Sequence, residues 1–316
     1  EGFKEIYDET YNKITSMKYD VKRKACNIKY KILLEPYPID DIININHDYR
    51  LNYLYSSSVG AKPDIVLRPE FYIYYDGVLL YNLEEKEYLS AFCKTFLIGN
   101  LKFKNFKKIK NNTNKKIILY LPTYGNSSDI DYTIDIIKLL RKKYTVYVKA
   151  HHGTDFLVSE RQKLELLKKS CDKFYESSEN MISLLQDVDL VLSDNSGAIF
   201  DAIYSETPVV IFSKDTNRNK ISDKFNTKQY DLIKLGVIPF TNNIKSVEEI
   251  VKQGLSKKTK NLQLKYKKEN FYCPNDLVID FIGIIKKFLS DDINIKYKIL
   301  HDRLRASFDN LKKRKY

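Results

Sequence analysis

Apolar and polar positions alternate in blocks along the second two thirds of the chain. Ile117-Ile118-Leu119-Tyr120-Leu121 is a short apolar run closed by Pro122, as expected of a buried strand. Over residues 130–143, Ile130, Ile134, Ile137 and Leu140 recur near a 3.6 period, which predicts a helix. Tyr144 to Val148 is β-branched and aromatic and reads as strand. Residues 156–170 place Leu157, Leu164 and Leu167 on one side of a second helix, and Met181 to Leu185 reads as a short one. Asp189 to Ser193 is strand, Ser196 to Tyr204 helix, and Pro208 to Phe212 strand. Such alternation predicts a parallel sheet with helices on both faces, an α/β fold.

The first hundred residues are less regular. Ile28 to Leu34, Ile42 to Ile45, Asp64 to Leu67 and Phe96 to Ile98 read as strands of a second, smaller α/β unit that lacks part of its N-terminal portion. Residues 102–116 carry seven lysines and no acid, the composition of a linker or of a solvated loop. In the tail, Leu300, Leu304, Phe308 and Leu311 fall near one helical face that ends in Lys312, Lys313, Arg314 and Lys315. A basic amphipathic helix of this kind can pack on the first domain, lie on an anionic membrane, or do both. The expected division is 1–108, 109–290 and a terminal helix, 291–316.

At 316 residues the chain is long enough to bury a core without disulfides or a structural metal. No apolar run approaches the roughly 18 residues that span a bilayer, Phe281 to Ile285 being typical of the longest. The first residues, Glu1-Gly2-Phe3-Lys4, have no Met and no signal-peptide core, as in an excised fragment. Cys26, Cys93, Cys171 and Cys273 are widely spaced, with no CxxC pair, and read as reduced thiols of a cytoplasmic protein.

The net charge of +13 favours polyanions. It is not spread evenly. Residues 102–116 contribute +7 and residues 296–316 contribute +6, so the rest of the chain is neutral. A polyanionic partner or an anionic membrane would meet those two segments. The chain carries no recognisable nucleic-acid module, so nucleic acid is not the expected partner.

Chemistry-bearing residues gather where the predicted strands end. Lys149-Ala150-His151-His152-Gly153 follows one strand, and ligands of parallel α/β sheets bind at carboxyl ends. Ser193-Asp194-Asn195-Ser196-Gly197 lies between a strand and the helix containing Asp201, where helix N–H groups favour an anion. Ordinary capping by Asp194, Asn195 or Ser196 is the alternative. Thr123 ends another strand on the same edge, and its hydroxyl suits either substrate contact or a turn. His47 follows the run Ile42 to Asn46 and is expected at a carboxyl end in the first unit, placed for general-base work. His301 reads as a surface residue. No GxGxxG or GxxxxGK[ST] is present. No carboxylate cluster demands a metal, and no cofactor is expected, although Mg²⁺ on a diphosphate needs few protein ligands.

The segments ILYLPTYG (118–125), KAHHG (149–153) and DVDLVLSDNSGAIFDAIYSETPVVIF (187–212) together resemble the CDP-glycerol glycerophosphotransferase family, which builds teichoic acids and related capsule polymers. The family pattern runs roughly LYxPTxR, KxHP and sDlLitDYSSxxFDxxxxxxPxixy, with weaker similarity at Gly99. The resemblance implies a GT-B fold, two Rossmann-like domains with a cleft between them and the donor mainly on the C-terminal domain. It implies that His151 serves the donor pyrophosphate, that Ser196 and Gly197 contact phosphate, and that Asp194 and Asp201 match the two family aspartates. His47 matches the N-terminal catalytic histidine weakly, because His47-Asp48-Tyr49 replaces HGtp. Gly125 stands for the family Arg, His152 for Pro, and Asn195 and Gly197 for Tyr and Ser.

The expected reaction is attack of an acceptor hydroxyl on the distal phosphorus of a CDP-activated donor, with CMP leaving. The acceptor would be a polyanionic glycan or a lipid-linked molecule, met at the inner face of the membrane. Two other classes remain: a GT-B glycosyltransferase or epimerase using a sugar nucleotide, since the 2-epimerases share a DSGGxxEE element here, and a non-catalytic basic binder of nucleic acid or anionic surfaces.

Overall fold

A computed structural model describes residues 29–35, 46–53, 72–109, 113–123, 130–151, 158–194, 196–214, 228–290 and 295–313. The chain divides into two units. One comprises Phe3–Val59, Asp64–Lys104 and Asn270–Tyr316; the other comprises Glu1–Gly2, Gly60–Pro63 and Asn105–Glu269.

The first unit holds β1 (Tyr30–Glu35), β2 (His47–Tyr53), β3 (Gly77–Leu80), α1 (Leu83–Leu89) and β4 (Thr95–Leu97). The strands form one parallel sheet in the order β1-β2-β3-β4. Side chains alternate across it as strand geometry requires. Tyr49, Leu51, Tyr53 and Leu79 face one layer, and Val78 and Leu80 face the other with Tyr72, Tyr75 and Leu89. Gly77 opens β3 because there is no room for more: a Cβ there would lie 2.8 Å from the Phe96 ring and 3.1 Å from Leu51.

The second unit begins with β5 (Ile117–Leu121) and continues through α2 (Ile130–Leu140), β6 (Thr145–Lys149), α3 (Val158–Ser170), β7 (Lys173–Tyr175), α4 (Met181–Leu184), β8 (Leu190–Ser193), α5 (Ala198–Tyr204), β9 (Val209–Phe212), α6 (Lys228–Lys234), β10 (Phe240–Thr241), α7 (Val247–Leu255) and α8 (Lys257–Asn270). All six strands are parallel, in the order β10-β9-β8-β5-β6-β7. Read from β7, this is the 3-2-1-4-5-6 order of a dinucleotide-type fold, and the chain reverses its winding between β5 and β8. Even-numbered strand residues, Ile118, Tyr120, Val146, Val148, Leu190, Leu192, Val210 and Phe212, form a core with Ile136, Ile137 and Leu140 of α2 and with Val247, Ile250 and Val251 of α7. Ile134, Ile137 and Leu140 of the helical stripe read over residues 130–143 pack here.

The chain then returns to the first unit with α9 (Leu277–Leu289) and α10 (Ile295–Lys313). Phe281, Ile282, Ile284, Ile285 and Phe288 of α9 cover the Leu51 face of the sheet. The boundary expected at 290 therefore falls near 270, because the apolar face of α9 completes the first core.

The strand read over Ile42–Ile45, and that over Asp64–Leu67, lie outside the described residues. The lysine-rich segment is not wholly a solvated linker. Leu101 and Phe103 are buried in a 3₁₀ turn, and the Lys108 ammonium donates to the carbonyls of Leu185 and Val188 at 2.7 Å and to Thr207 Oγ1 at 2.8 Å. Burial pushes this lysine down to about 8, against the opposing pull of Asp189 and Asp187.

The tail helix packs on the first unit, but not through Leu300 and Leu304. Tyr297, His301 and Arg305 turn inward, whereas Leu300 and Leu304 face solvent. Polar anchors outweigh the apolar stripe: the imidazole Nε2 of His301 donates to the Phe92 carbonyl at 2.9 Å, and Arg305 donates to the Ile73 carbonyl at 2.7 Å. Arg305 and Lys298 also pair with Asp76 at 3.3 and 3.6 Å. His301 is accordingly buried, not a surface residue.

Candidate active site

The carboxyl ends of β6, β5 and β8 lie side by side in the second unit. With strands about 4.8 Å apart, β6 and β8 are separated by about 10 Å, with β5 between them. Each carries a residue singled out by the sequence.

After β5, Thr123 is buried, and its backbone N–H donates to both oxygens of Asp194, at 2.9 and 3.1 Å. After β8, Ser193 Oγ donates to the Leu121 carbonyl at 2.9 Å. The two strand ends at the reversal point are thus tied by a carboxylate and a hydroxyl. Asp194, only 1% exposed, is an internal clamp.

Beyond the clamp, Ser196 Oγ accepts from the Ala198 amide at 3.3 Å, and Gly197 stands at the N-cap of α5 in a right-handed helical conformation (φ −62°) with no side-chain cap. Among the described residues, the amides of Ser196 and Gly197 and the hydroxyl of Thr123 make no hydrogen bond. The capping alternative therefore accounts for one of the amides at this helix start. Asp201 is buried within α5, whose Ile199, Phe200, Ala202 and Ile203 are also buried.

After β6, His151 is half-buried at the carboxyl edge, two residues beyond the last strand position. Lys149 departs from the expected phosphate-facing cluster. Its ammonium donates to the carbonyls of Ser177 and Ala150 at 3.0 and 3.1 Å, because a nearly buried charge must be satisfied by the nearest acceptors. It fixes the segment after β7. His152 and Asn195 lie outside the described residues.

His47 is corrected more sharply. It is the first residue of β2, paired in register with Tyr30, and so stands at the amino edge of the first sheet. The chain direction is the reason: the strand begins, and does not end, at His47.

The carboxyl edge of the first sheet instead carries a buried polar cluster that the sequence did not reveal. Glu35 and Asn52 are register partners on β1 and β2. Glu35 Oε2 accepts from Tyr75 Oη at 2.7 Å and from Arg50 Nε at 3.0 Å. The Arg50 backbone N–H donates to Asp76 at 2.8 Å. Burial, and then the Glu35 carboxylate, hold the Tyr75 hydroxyl above its ordinary value, so it stays a donor. Among the described residues, Glu35 Oε1 and Asn52 Oδ1 are buried with no hydrogen-bond partner. The only trace in the sequence is an acid closing an apolar run, Ile32-Leu33-Leu34-Glu35. Among the described residues, no group of three or more His, Cys, Asp or Glu side chains could hold a metal ion.

Residues 101–273 match the family model for CDP-Glycerol:Poly(glycerophosphate) glycerophosphotransferase. The chain belongs to this family. The match spans over half the chain and includes the β5, β6 and β8 ends. The protein is a transferase of the CDP-glycerol glycerophosphotransferase type. No curated protein sequence matches the chain.

Solved structures share the fold. The wall teichoic acid polymerase TagF, in a variant soaked with CDPG, aligns with a TM-score of 0.57 at 13% identity, over 94% of this chain and 85% of that one. A UDP-N-acetylglucosamine 2-epimerase from Listeria monocytogenes aligns at 0.55 and 13% identity, over 90% and 78%. MnaA from S. aureus, solved with UDP, aligns at 0.55 and 12%, over 91% and 80%. At these identities the likeness is one of fold, the GT-B fold.

Proposed function

We propose that the second unit holds a CDP-activated donor at the carboxyl ends of β6, β5 and β8, and that a hydroxyl of a polyanionic glycan or lipid-linked acceptor attacks it. The hydroxyl oxygen bonds to the distal phosphorus of CDP-glycerol as its proton passes to solvent water, the bond from that phosphorus to the bridging oxygen breaks, and CMP leaves. The observation that carries this reading is the set of donors at the winding reversal: two amides at Ser196 and Gly197 and the Thr123 hydroxyl, beside His151. Such preorganised donors offset charge that develops on phosphate oxygens. Asp194 and Lys149 position the loops and do not meet the donor. Asp201 would hold α5, and the donor-side role that the family resemblance implies for His152 and Asn195 is kept as part of the proposal. The base role expected of His47 is not carried forward, because ligands of parallel sheets collect at the opposite edge.

The protein would work in the cytoplasm, peripherally at the inner face of the membrane, where the basic segments meet a polyanion. Thermal-shift titration tests the donor class. CDP-glycerol should stabilise the protein, and UDP-sugars should not. Stabilisation by UDP-sugars alone would favour the sugar-nucleotide reading, which the epimerase-like fold keeps in view.

A further inference from the structure

Gln229 is the second residue of α6 and is 0% exposed. Leu232, one turn on, is equally buried, so both lie on the inward side of the helix. Among the described residues, neither Nε2 nor Oε1 of Gln229 has a hydrogen-bond partner. Buried polar groups are as a rule paired, and a carboxamide with both ends unused points to a partner from outside the chain.

Topology places this side chain. α5 crosses from β8 to β9, and α6 crosses from β9 to β10. Both crossovers step in the same direction between parallel neighbours. Right-handed connections then put both helices on one side of the sheet, each starting at its carboxyl edge. Neighbouring helices pack about 8–10 Å apart. Gln229 therefore stands about one helix diameter from Gly197, on the side of β8 away from β6 and His151. With donor phosphate at Gly197, the glutamine side chain and the three carbons of glycerol together fill that gap. A ribose intervenes between phosphate and base, which makes the base the poorer fit.

We propose that Gln229 receives the glycerol hydroxyls of the donor and so helps to set which alditol is transferred. Oε1 accepts from one hydroxyl, and Nε2 donates to its neighbour. A phosphate oxygen only accepts and would leave Oε1 unused. The proposal rests on a donor held at the β6, β5 and β8 ends and adds a specificity-determining residue to that site.

The test is calorimetric titration of the full chain with CDP-glycerol, with CDP, and with CDP-1,2-propanediol, which lacks the terminal hydroxyl. Gln229→Met keeps the side-chain volume and removes both hydrogen-bonding groups. It should bind CDP-glycerol about tenfold more weakly than wild type, and CDP equally well. Wild type should prefer CDP-glycerol to the propanediol analogue, and the variant should bind the two alike. An equal loss for CDP would assign the carboxamide to the nucleotide and overturn the proposal. Unchanged affinities with a raised unfolding midpoint would assign it to an internal water and overturn it too. Should Gln229→Met fail to fold, equal binding of the two alditol donors by wild type is enough to overturn it, and a preference for CDP-glycerol supports it. A wild-type chain that binds none of the three would refute the donor site itself, and this residue's role with it.

Discussion

The Thr123 amide donates to both carboxylate oxygens of Asp194, so one buried acid joins the ends of β5 and β8 where the sheet reverses its winding. The proposed donor site is built on that junction.

Asp194→Ala should destabilise the second unit by about 1–3 kcal/mol, the cost of leaving the buried Thr123 amide without its acceptor. It should also reduce the thermal shift produced by CDP-glycerol. Asp194→Asn keeps one accepting oxygen and should lose less. Urea denaturation read beside ligand titration checks both; an unchanged donor response in a destabilised Asp194→Ala protein would count against the site's location.

His151 is the half-buried side chain at the β6 end of the same row. His151→Ala should lower turnover at least about a hundredfold at saturating donor, as loss of a preorganised donor does elsewhere. Circular dichroism should be unchanged. Wild-type turnover in a folded variant would refute the role.

His301 carries a pH prediction. Burial, together with the Arg305 guanidinium, holds its imidazole below the ordinary histidine value, and Asp76 and Asp302 oppose this. The unfolded chain therefore binds the proton more tightly than the folded one. The neutral ring's contribution is present above about pH 6.5 and is lost as pH falls through the lower folded value. Denaturation midpoints should drop between about pH 7 and about pH 5, and His301→Gln should flatten the drop.

Gly254 lies on α7 against the sheet. A Cβ there would sit 2.4 Å from both Leu190 Cδ1 and Val210 Cγ1, in a fully buried layer. Alanine is the better helix former by about 1 kcal/mol. Overpacking of about 1–3 kcal/mol should outweigh it, so Gly254→Ala should lower the midpoint of unfolding. A stabilised variant would show that the layer can yield.

Legibility followed burial. The strands of the second unit were plain because they are buried on both faces, so Ile117 to Leu121 and Val209 to Phe212 are nearly unbroken apolar runs. β2 was hidden because its buried positions include Arg50 and Asn52, which satisfy each other's neighbours inside the fold. β3 was hidden because it opens on Gly77. Lys149 reads as a ligand in sequence because only the folded chain brings the Ser177 carbonyl to its ammonium.

By itself the sequence determined the α/β alternation, the order of the second unit's elements, and the motif residues Thr123, His151, Ser196 and Gly197, because strand and helix periods are local properties. Tertiary structure decided the rest. It placed β8 beside β5, so that Asp194 became a clamp, and set His47 at an amino edge. It also turned Leu300 and Leu304 outward, because His301 and Arg305 found acceptors at Phe92, Ile73 and Asp76. Those outcomes depend on hydrogen bonds and ion pairs between residues far apart in the chain, and a buried polar group takes whichever partner the fold brings within reach.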